Sequence, residues 1–464
     1  MKKDFTKGSI VAPLLKLALP VMLVFFLHMV YQVIDLFWLG QLGAGAIAAV
    51  SACIPVTFLI GTLGSGFSIA GSILVAQYYG ARKHERVNEV ATQTVAISTL
   101  VGLGFVLLGL LLAPSILAAM GVGSDVLPDA TSYLSIIFFG MVFSFAFMAE
   151  QSVLNGVGET RTPLLIVLAS VLLNFVLDPI FINGFGPIPA MGVAGAAWVT
   201  IGTELLSAVA GFAVLYYGWR GVRVDYSNFS FDWPLLKELT IIGFPGVLDR
   251  MTYSLNAVII TSLAAGFGTM ALAAFGVAQR VSIFFFLPGM GLSVAAGIMA
   301  GQCLGAGKKE RAVRVAREGA ILSFLALSFF GALLLLFGRG FAGLFLPNDA
   351  GLVSIAFLYM AIDSLGFGLG GVRMTLVSIA RASGNMLQAL GLSLVTIVLR
   401  LSVAIAAAGA IGFYGLALSY PLGSFLMVFF CYAWFKKSRW WETSLVPTPE
   451  EDLLEEECTG IKER

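Results

Sequence analysis

Twelve stretches of the sequence are mostly apolar over about 20 residues or more, which is the length that a helix needs to cross a bilayer. The stretches are residues 11–39, 45–76, 90–113, 131–155, 163–182, 191–218, 238–265, 270–302, 315–345, 351–380, 387–410 and 412–435. Soluble domains carry about 25% charged residues, whereas this chain carries only 11%. Such a chain cannot cover a water-facing surface. We therefore expect an all-α membrane protein with twelve transmembrane helices, solvated by a lipid bilayer.

Basic residues cluster on one side of the predicted spans. They are Lys2, Lys3, Lys7, Lys16, Arg82, Lys83, Arg86, Arg220, Arg223, Lys237, Lys308, Lys309, Arg311, Arg314, Arg317, Lys436, Lys437 and Arg439. The opposite loops contain Asp125, Asp129 and Asp349, with Arg339 as the one basic residue near them. By the positive-inside rule, both termini should be cytoplasmic. We expect a multi-pass protein of the cell inner membrane.

The sequence repeats itself at an offset near 225. Residues 77–80 (Gln-Tyr-Tyr-Gly) match residues 302–305 (Gln-Cys-Leu-Gly), and at offset 226 Gly158 matches Gly384. Six spans per repeat make the repeats parallel, related by an axis along the membrane normal. Transporters built in this way bind substrate between the halves and alternate access by rocking them. A duplicated helical bundle without transport is the alternative.

The repeat defines the expected domains. Residues 1–219 should form an N-terminal lobe of six helices, and residues 220–236 a cytoplasmic connector. Residues 237–440 should form a C-terminal lobe of six helices. Residues 441–464 contain six acidic residues between 450 and 457 and should form a disordered cytoplasmic tail.

Several other classes of protein do not fit the sequence. The net charge of +1 gives no bias toward nucleic acid, and the four cysteines have no paired spacing for disulfides or zinc. The sequence has no GxxxxGK[ST] motif for an ATPase and no aspartate cluster of the kind a membrane prenyltransferase needs for magnesium. We expect a monomer that is not an enzyme and needs no cofactor.

Ionisable groups at membrane depth are rare and usually functional. Asp35 and Asp178 each lie about five residues before the outer end of a span, so both should lie at similar depth. Asn174 is one turn below Asp178, and Tyr31 is one turn below Asp35. Two close carboxylates cannot both ionise freely. The pair could take up a proton or bind sodium through oxygen ligands, or it could be a structural hydrogen-bonded pair.

Two further groups of the first half remain candidates for a relay or for substrate binding. His28 lies two turns below Asp35 and could relay protons, or it could be a core histidine. Glu204 lies deep in the sixth span. Pro20 and Pro245 occupy equivalent positions in spans 1 and 7 and are candidate hinges, because a helix proline removes one backbone hydrogen bond. The hypothesis is that ionisation or ion binding at Asp35 bends span 1 at Pro20.

The second half carries a different set of charges, namely Asp249, Arg250, Arg280, Asp363, Arg373 and Arg400. At offset 226, Arg400 is equivalent to Asn174 and Ala404 to Asp178. Asp249, Asp363 and Arg400 are therefore candidates for substrate binding or relay. A structural network of ion pairs is equally open. We expect ion coupling mainly in the first half.

The sequence resembles the MATE (multidrug and toxic compound extrusion) family, and its DinF-like branch most closely. The residues that carry the resemblance are Leu17-Ala18-Leu19-Pro20, Asp35-Leu36-Phe37-Trp38-Leu39-Gly40, Gln77 to Gly80, Asn155-Gly156-Val157-Gly158, Leu173-Asn174-Phe175-Val176-Leu177-Asp178-Pro179 and Gly192-Val193-Ala194-Gly195-Ala196-Ala197. The resemblance implies a V-shaped pair of six-helix lobes. It also implies export of cationic or amphipathic drugs in exchange for protons or sodium.

The family's functional positions fall on Asp35, Asn174, Asp178 and Thr200, which would also hold Na⁺ where sodium is the coupling ion. His28 departs from the glutamine expected at its position. The runner-up within the same superfamily is a lipid-linked oligosaccharide flippase. Such a flippase should have a larger basic cavity, and the arginines of the second half keep this alternative open.

Overall fold

The computed structural model describes residues 5–227, 229–346 and 349–446. Within these ranges the chain forms thirteen α-helices and one short 3-10 helix. The helices are α1 (Val11–Gly40), α2 (Ala44–Gly80), α3 (His84–Ala119), α4 (Leu127–Gly156), α5 (Arg161–Asn183), α6 (Gly192–Tyr216), α7 (Trp233–Ala265), α8 (Thr269–Gly305), α9 (Lys309–Phe345), α10 (Ala350–Ser364), α11 (Phe367–Ala382), α12 (Met386–Ile411) and α13 (Phe413–Lys437), and the 3-10 helix is Trp440–Glu442.

These helices make the predicted all-α membrane fold. Ten of the described helices are long and apolar enough to cross a membrane, and α10 with α11 forms a further span that is bent by 52°. Helix α7 has 33 residues, enough for a span, but Asp249 and Arg250 in its middle lower its hydropathy. Counting α7, the structure has the twelve spans expected.

The tenth span differs from its prediction. Residues 351–380 were expected to form one helix, but the helix breaks between Ser364 and Phe367. A Cβ atom on Gly366 would lie 2.6 Å from the Cα atom of Pro421, so the backbone of α13 passes directly against the break. The break thus falls directly after Asp363 and Ser364, where the backbone of α13 comes closest.

The two lobes, α1–α6 and α7–α13, meet through reciprocal contacts of the repeated motif. The Gln302 side chain donates to the carbonyl of Gly156 at 2.8 Å, and the Gln77 side chain donates to the carbonyl of Ala382 at 2.7 Å. A Cβ atom on Gly80 would overlap the backbone of Gln302, and one on Gly305 would overlap the backbone of Gln77. These reciprocal contacts relate the lobes by a pseudo-twofold axis. We call the contact made by Gln77, Gly80, Gln302 and Gly305 the gate.

A second pair of crossings lies farther along the same helices. A Cβ atom on Gly66 of α2 would lie 2.8 Å from Cγ2 of Val247 in α7. A Cβ atom on Gly291 of α8 would lie 2.7 Å from the carbonyl oxygen of Ala18 in α1. These close approaches lie in the halves of the helices nearest the basic loops. The V therefore closes at its basic end and opens at the other end.

Both ends of the described chain pack at the gate. The Arg311 guanidinium donates to the carbonyl oxygens of residues 5, 7, 8 and 9 over 2.9–3.4 Å. At the other end, the Leu445 backbone N–H donates to the side-chain oxygen of Gln77 at 2.8 Å. Phe5 and Val446 are both buried. The two terminal segments therefore bind residues of the opposite lobe.

Two boundaries differ from the expected domains. Helix α7 begins at Trp233, so the segment between the lobes is residues 217–232 rather than 220–236. The tail was expected to begin at residue 441, but Trp440 and Val446 are buried and Leu445 bonds Gln77, so the chain stays against the lobes as far as residue 446. Aromatic and aliphatic side chains at these positions explain the difference. The acidic residues 450–457 lie outside the described residues.

The Arg311 contacts predict a measurable effect on stability. We expect Arg311→Gln to lower the free energy of unfolding by about 2–4 kcal/mol, because hydrogen bonds to a charged group contribute about 1.5–3 kcal/mol each and are not additive. Thermal unfolding of the purified protein in detergent measures this. Arg314→Gln, at an exposed position one turn along α9, is the matched control. Equal midpoints for both variants would contradict the prediction.

Candidate functional site

The carboxylates of the N-terminal lobe lie where α1 packs against α5. Val24 of α1 forms a buried cluster with Val167 and Val171 of α5. This packing places Asp35 beside Asp178, and their carboxyl groups interact directly. Asp178 and Asn174 are fully buried, and Asp35 is partly buried. The two carboxylates predicted to share a depth are therefore in contact.

Hydrogen bonds connect this pair to α1 and α6. The Asn174 side-chain amide donates to Asp178 Oδ1 and to the Tyr31 hydroxyl, each at 3.2 Å. The Tyr31 hydroxyl also bonds Oγ1 of Thr203 at 3.1 Å. Thr203 in turn donates to the carbonyl oxygen of Thr200 at 2.9 Å. Three helices thus hold one polar cluster.

Four buried oxygen atoms of this cluster have no hydrogen-bond partner among the described residues. They are Asp35 Oδ1, Asn174 Oδ1, Asp178 Oδ2 and Thr200 Oγ1. The four belong to the four residues that the sequence singled out for ion coupling. A buried polar atom without a partner is costly, and oxygen atoms are the ligands that hard cations prefer. Protonation of a carboxylate or binding of a cation would satisfy them. We call this set the oxygen cluster.

The other N-lobe candidates lie beside the oxygen cluster rather than in it. Glu204 accepts a hydrogen bond from the Ser144 hydroxyl of α4, and its charge acts on both Tyr31 and Asp35. His28 is exposed and forms no hydrogen bond with a described residue. The structure therefore gives His28 no hydrogen-bonded route to the carboxylates. Thr203 and Ser144 were missed, because nothing in the sequence marks which hydroxyl of α4 or α6 faces inward.

The C-terminal lobe has a different arrangement at the equivalent place. Ala404 is fully buried where the repeat places the counterpart of Asp178. The Arg400 guanidinium, at the place of Asn174, lies over the Tyr420 ring at 5.1 Å. Asp363 is buried, and the charge of Arg400 acts on it. The second lobe therefore holds a cation where the first holds the oxygen cluster.

Asp249 forms an ion pair with Arg381 of α11. A network of ion pairs was one of the alternatives for the charges of the second half, but Arg381 was missed, because the predicted span ended at residue 380. Arg373 donates to the Tyr253 hydroxyl at 3.1 Å and lies over its ring. The charges of the second half are thus distributed over α7, α8, α10, α11 and α12.

Comparison with known proteins decides the family. The MatE family model matches residues 20–180 and residues 245–406, well over half of the chain and one segment in each lobe. The chain belongs to the MATE family. Members are membrane transporters associated with multidrug efflux and not enzymes, as the sequence predicted. The DinF-like branch remains a prediction.

Relatives along nearly the whole chain agree with this MATE assignment. The probable multidrug resistance protein YoeA of Bacillus subtilis (strain 168) is 30% identical over 79% of this chain and 80% of its own length. The FAD transporter of Shewanella oneidensis is 25% identical over 90% of this chain and 93% of its own length. A solved structure, the outward-facing conformation of a multidrug resistance MATE transporter, has a TM-score of 0.88 at 21% identity and covers 95% of this chain and 98% of that chain.

The candidate hinges of this MATE protein lie inside continuous helices. Pro20 is buried within α1, which runs unbroken from Val11 to Gly40. Pro245 is buried within α7. Gly243 and Gly246 flank Pro245 and contact α2 and α12. Each proline is therefore close to the contacts between the lobes. A hinge that links helix bending to opening of the gate requires this position.

Proposed function

We propose that this protein is a secondary antiporter that expels small amphipathic drug-like compounds from the cell in exchange for protons or sodium. The observation that carries the proposal is the set of four oxygens of Asp35, Asn174, Asp178 and Thr200 that have no hydrogen-bond partner among the described residues. Antiport follows if ion binding here and substrate binding in the cleft favour different positions of the lobes. The comparisons give no support to the flippase alternative.

In the proposed orientation the basic end and both termini lie in the cytoplasm. The protein lies in the inner membrane and works as a monomer. The open end of the V then faces outward. The gate would separate for uptake of substrate from the cytoplasm and close for release outside. Alternating access in this form needs no cofactor, and the coupling ion is H⁺ or Na⁺.

Gradient-driven efflux from proteoliposomes tests the proposal. The vesicles are loaded with dansylcadaverine, a cation, or dansylglycine, an anion, and a proton or a sodium gradient is imposed separately. We expect one of the gradients to drive efflux of at least one dye above the rate in protein-free vesicles. If neither gradient moves either dye, antiport is wrong.

The hinge proposal has its own test. We expect Pro20→Ala to lower the efflux rate several-fold and to leave dye affinity unchanged, because alanine restores the missing backbone hydrogen bond and stiffens α1. Pro55→Ala, at an exposed helix position in α2, is the control. If Pro20→Ala left the rate unchanged, bending of α1 would play no part in transport.

A further inference from the structure

Four arginines of the C-terminal lobe form a connected group that we call the arginine cluster: Arg250, Arg373, Arg381 and Arg400. The charges of Arg250 and Arg381 act on each other. Those of Arg381 and Arg373 both act on Tyr253, and those of Arg373 and Arg400 both act on Tyr420. Arg373 lies over the Tyr253 ring and Arg400 over the Tyr420 ring, so these charges of α7, α11 and α12 lie near one another.

This cluster is not neutralised by the protein. Among the described residues its one ion pair is that of Arg381 with Asp249, and the second nearby acid is Asp363. Four arginines thus face two aspartates. The Nε atoms of Arg373, Arg381 and Arg400 are buried and have no hydrogen-bond partner among the residues that the structure describes. Arg373 as a whole is only 6% exposed. A charge at membrane depth is costly unless it is paired or hydrated.

The two lobes also differ in the sign of the charges that they carry at membrane depth. Beyond the first two turns, the described N-lobe helices contain no lysine or arginine, whereas they carry Asp35, Glu150, Asp178 and Glu204. The ionisable groups at membrane depth are therefore acids in the N-terminal lobe and mainly arginines in the C-terminal lobe. An anion between the lobes would be attracted toward the exposed Arg250 of the C-terminal lobe.

The arginine cluster is accessible from the cleft. On α7, Gly243 and Val247 contact α2 across the lobe interface. Arg250 lies on the same face, one turn farther from the basic end, where the lobes diverge. Arg250 is exposed, and Tyr253 is 39% exposed. The buried guanidinium of Arg373 bonds the Tyr253 hydroxyl at 3.1 Å, so it lies directly behind a side chain that faces the cleft.

We propose that the arginine cluster binds a carboxylate or phosphate group of the transported substrate, so that the substrates are amphipathic organic anions or zwitterions. This inference rests on the proposed antiport and names its substrate class. The planar guanidinium presents paired donors that match the oxygens of carboxylate and phosphate. The rings of Tyr253 and Tyr420 give the apolar part of the substrate a surface to pack on. The coupling ion and the substrate anion then bind in opposite lobes.

Direct binding tests the proposal without any gradient. Fluorescence anisotropy of three dyes with one fluorophore is measured on the purified full-length protein in detergent. The dyes are dansylglycine (anionic), its methyl ester (neutral) and dansylcadaverine (cationic). We expect the anion to bind about tenfold more tightly than either other dye, the effect of one charge-assisted hydrogen bond. Equal affinities, tighter binding of the cation or no binding of the anion would overturn the proposal.

Substitution locates the site. We expect Arg373→Gln to weaken dansylglycine binding about tenfold, again the effect of one charge-assisted bond, and to leave the ester unaffected. Arg373→Lys should restore part of the affinity, since it keeps the charge but loses the fork. Arg339→Gln, at an exposed position near the far end of α9, should change nothing. Unchanged anion binding in Arg373→Gln would place the anion elsewhere and overturn the assignment.

The anion-binding proposal and the antiport proposal can fail independently. Selective anion binding lost in Arg373→Gln supports the substrate class even where no gradient drives efflux. Conversely, gradient-driven efflux of dansylcadaverine with no selective binding of dansylglycine would leave antiport intact and exclude the arginine cluster as the substrate site.

Discussion

Replacement of Asp178 by asparagine is expected to abolish coupling of efflux to the ion gradient while the protein stays folded. Asp178 is fully buried, and one of its carboxylate oxygens has no hydrogen-bond partner in the described part of the chain. The amide keeps the shape but can neither take up a proton nor offer a charge to a cation. We expect gradient-driven efflux to fall about 100-fold, equivalent to a loss of about 3 kcal/mol of ion interaction. Asp35→Asn should have the same effect.

The rate of dye efflux from proteoliposomes, with each gradient imposed, measures this. Asp129→Asn is the matched control, because Asp129 is an exposed aspartate in the first turn of α4. It should transport as the unmodified protein does. If Asp178→Asn retained full gradient-driven efflux, the oxygen cluster would not be the coupling site, whatever the fold.

The second large effect is expected at the gate. In Gly305→Ala the new methyl group would overlap the backbone carbonyl of Gln77, and a backbone atom cannot move aside by a change of rotamer. Overpacking typically costs about 1–3 kcal/mol, and sometimes more. The cost falls on the conformation in which the lobes meet, so we expect that conformation to lose population and transport to fall by at least tenfold. Gly80→Ala should have the same effect, because Gly80 makes the equivalent contact with the backbone of Gln302.

A pair of labels on α2 and α8 near the gate measures the change as an increased distance between the lobes. Gly104→Ala and Gly409→Ala are controls, since a Cβ atom at either position would meet nothing within 4 Å. An unchanged label distance and normal efflux in Gly305→Ala would mean that the lobes do not need this close approach.

Much of the fold could be predicted because each membrane span is a continuous apolar segment of the sequence. The repeat offset carried more information, since it related Gln77 to Gln302 and Gly80 to Gly305, and these residues meet reciprocally at the gate. The break between α10 and α11 could not be predicted. Asp363, Ser364 and Gly366 lie at the break, but similar residues occur inside unbroken spans, and the close approach of the α13 backbone at Pro421 is a tertiary contact.

The oxygen cluster could be predicted in part. The depth of Asp35 and Asp178 followed from their distance to the ends of their spans, and the contact of Asn174 with Asp178 followed from helix periodicity. The bond between Tyr31 and Thr203 joins residues 172 positions apart. Which hydroxyl of α6 reaches Tyr31 depends on the rotation of that helix, and an almost wholly apolar helix has no periodicity that shows it.

The C-terminal charges were the least predictable. Asp249 has Arg381 as its partner, and a boundary error of a few residues removed Arg381 from the candidates. The repeat did predict that a cation replaces the carboxylate site of the first lobe. It could not show that Arg373 of α11 bonds Tyr253 of α7. This contact connects the charges of the two helices.

The most direct test of ion coupling at the oxygen cluster is the linkage between ion and substrate binding. Dansylglycine and dansylcadaverine affinities are measured on the purified protein across a series of pH values and sodium concentrations, and again with Asp178→Asn. Linkage requires the coupling ion to change the substrate affinity, typically about 5- to 150-fold. We expect such a change with H⁺ or Na⁺ in the unmodified protein and a flat response in Asp178→Asn. An equal ion dependence in both proteins would contradict ion coupling at the oxygen cluster.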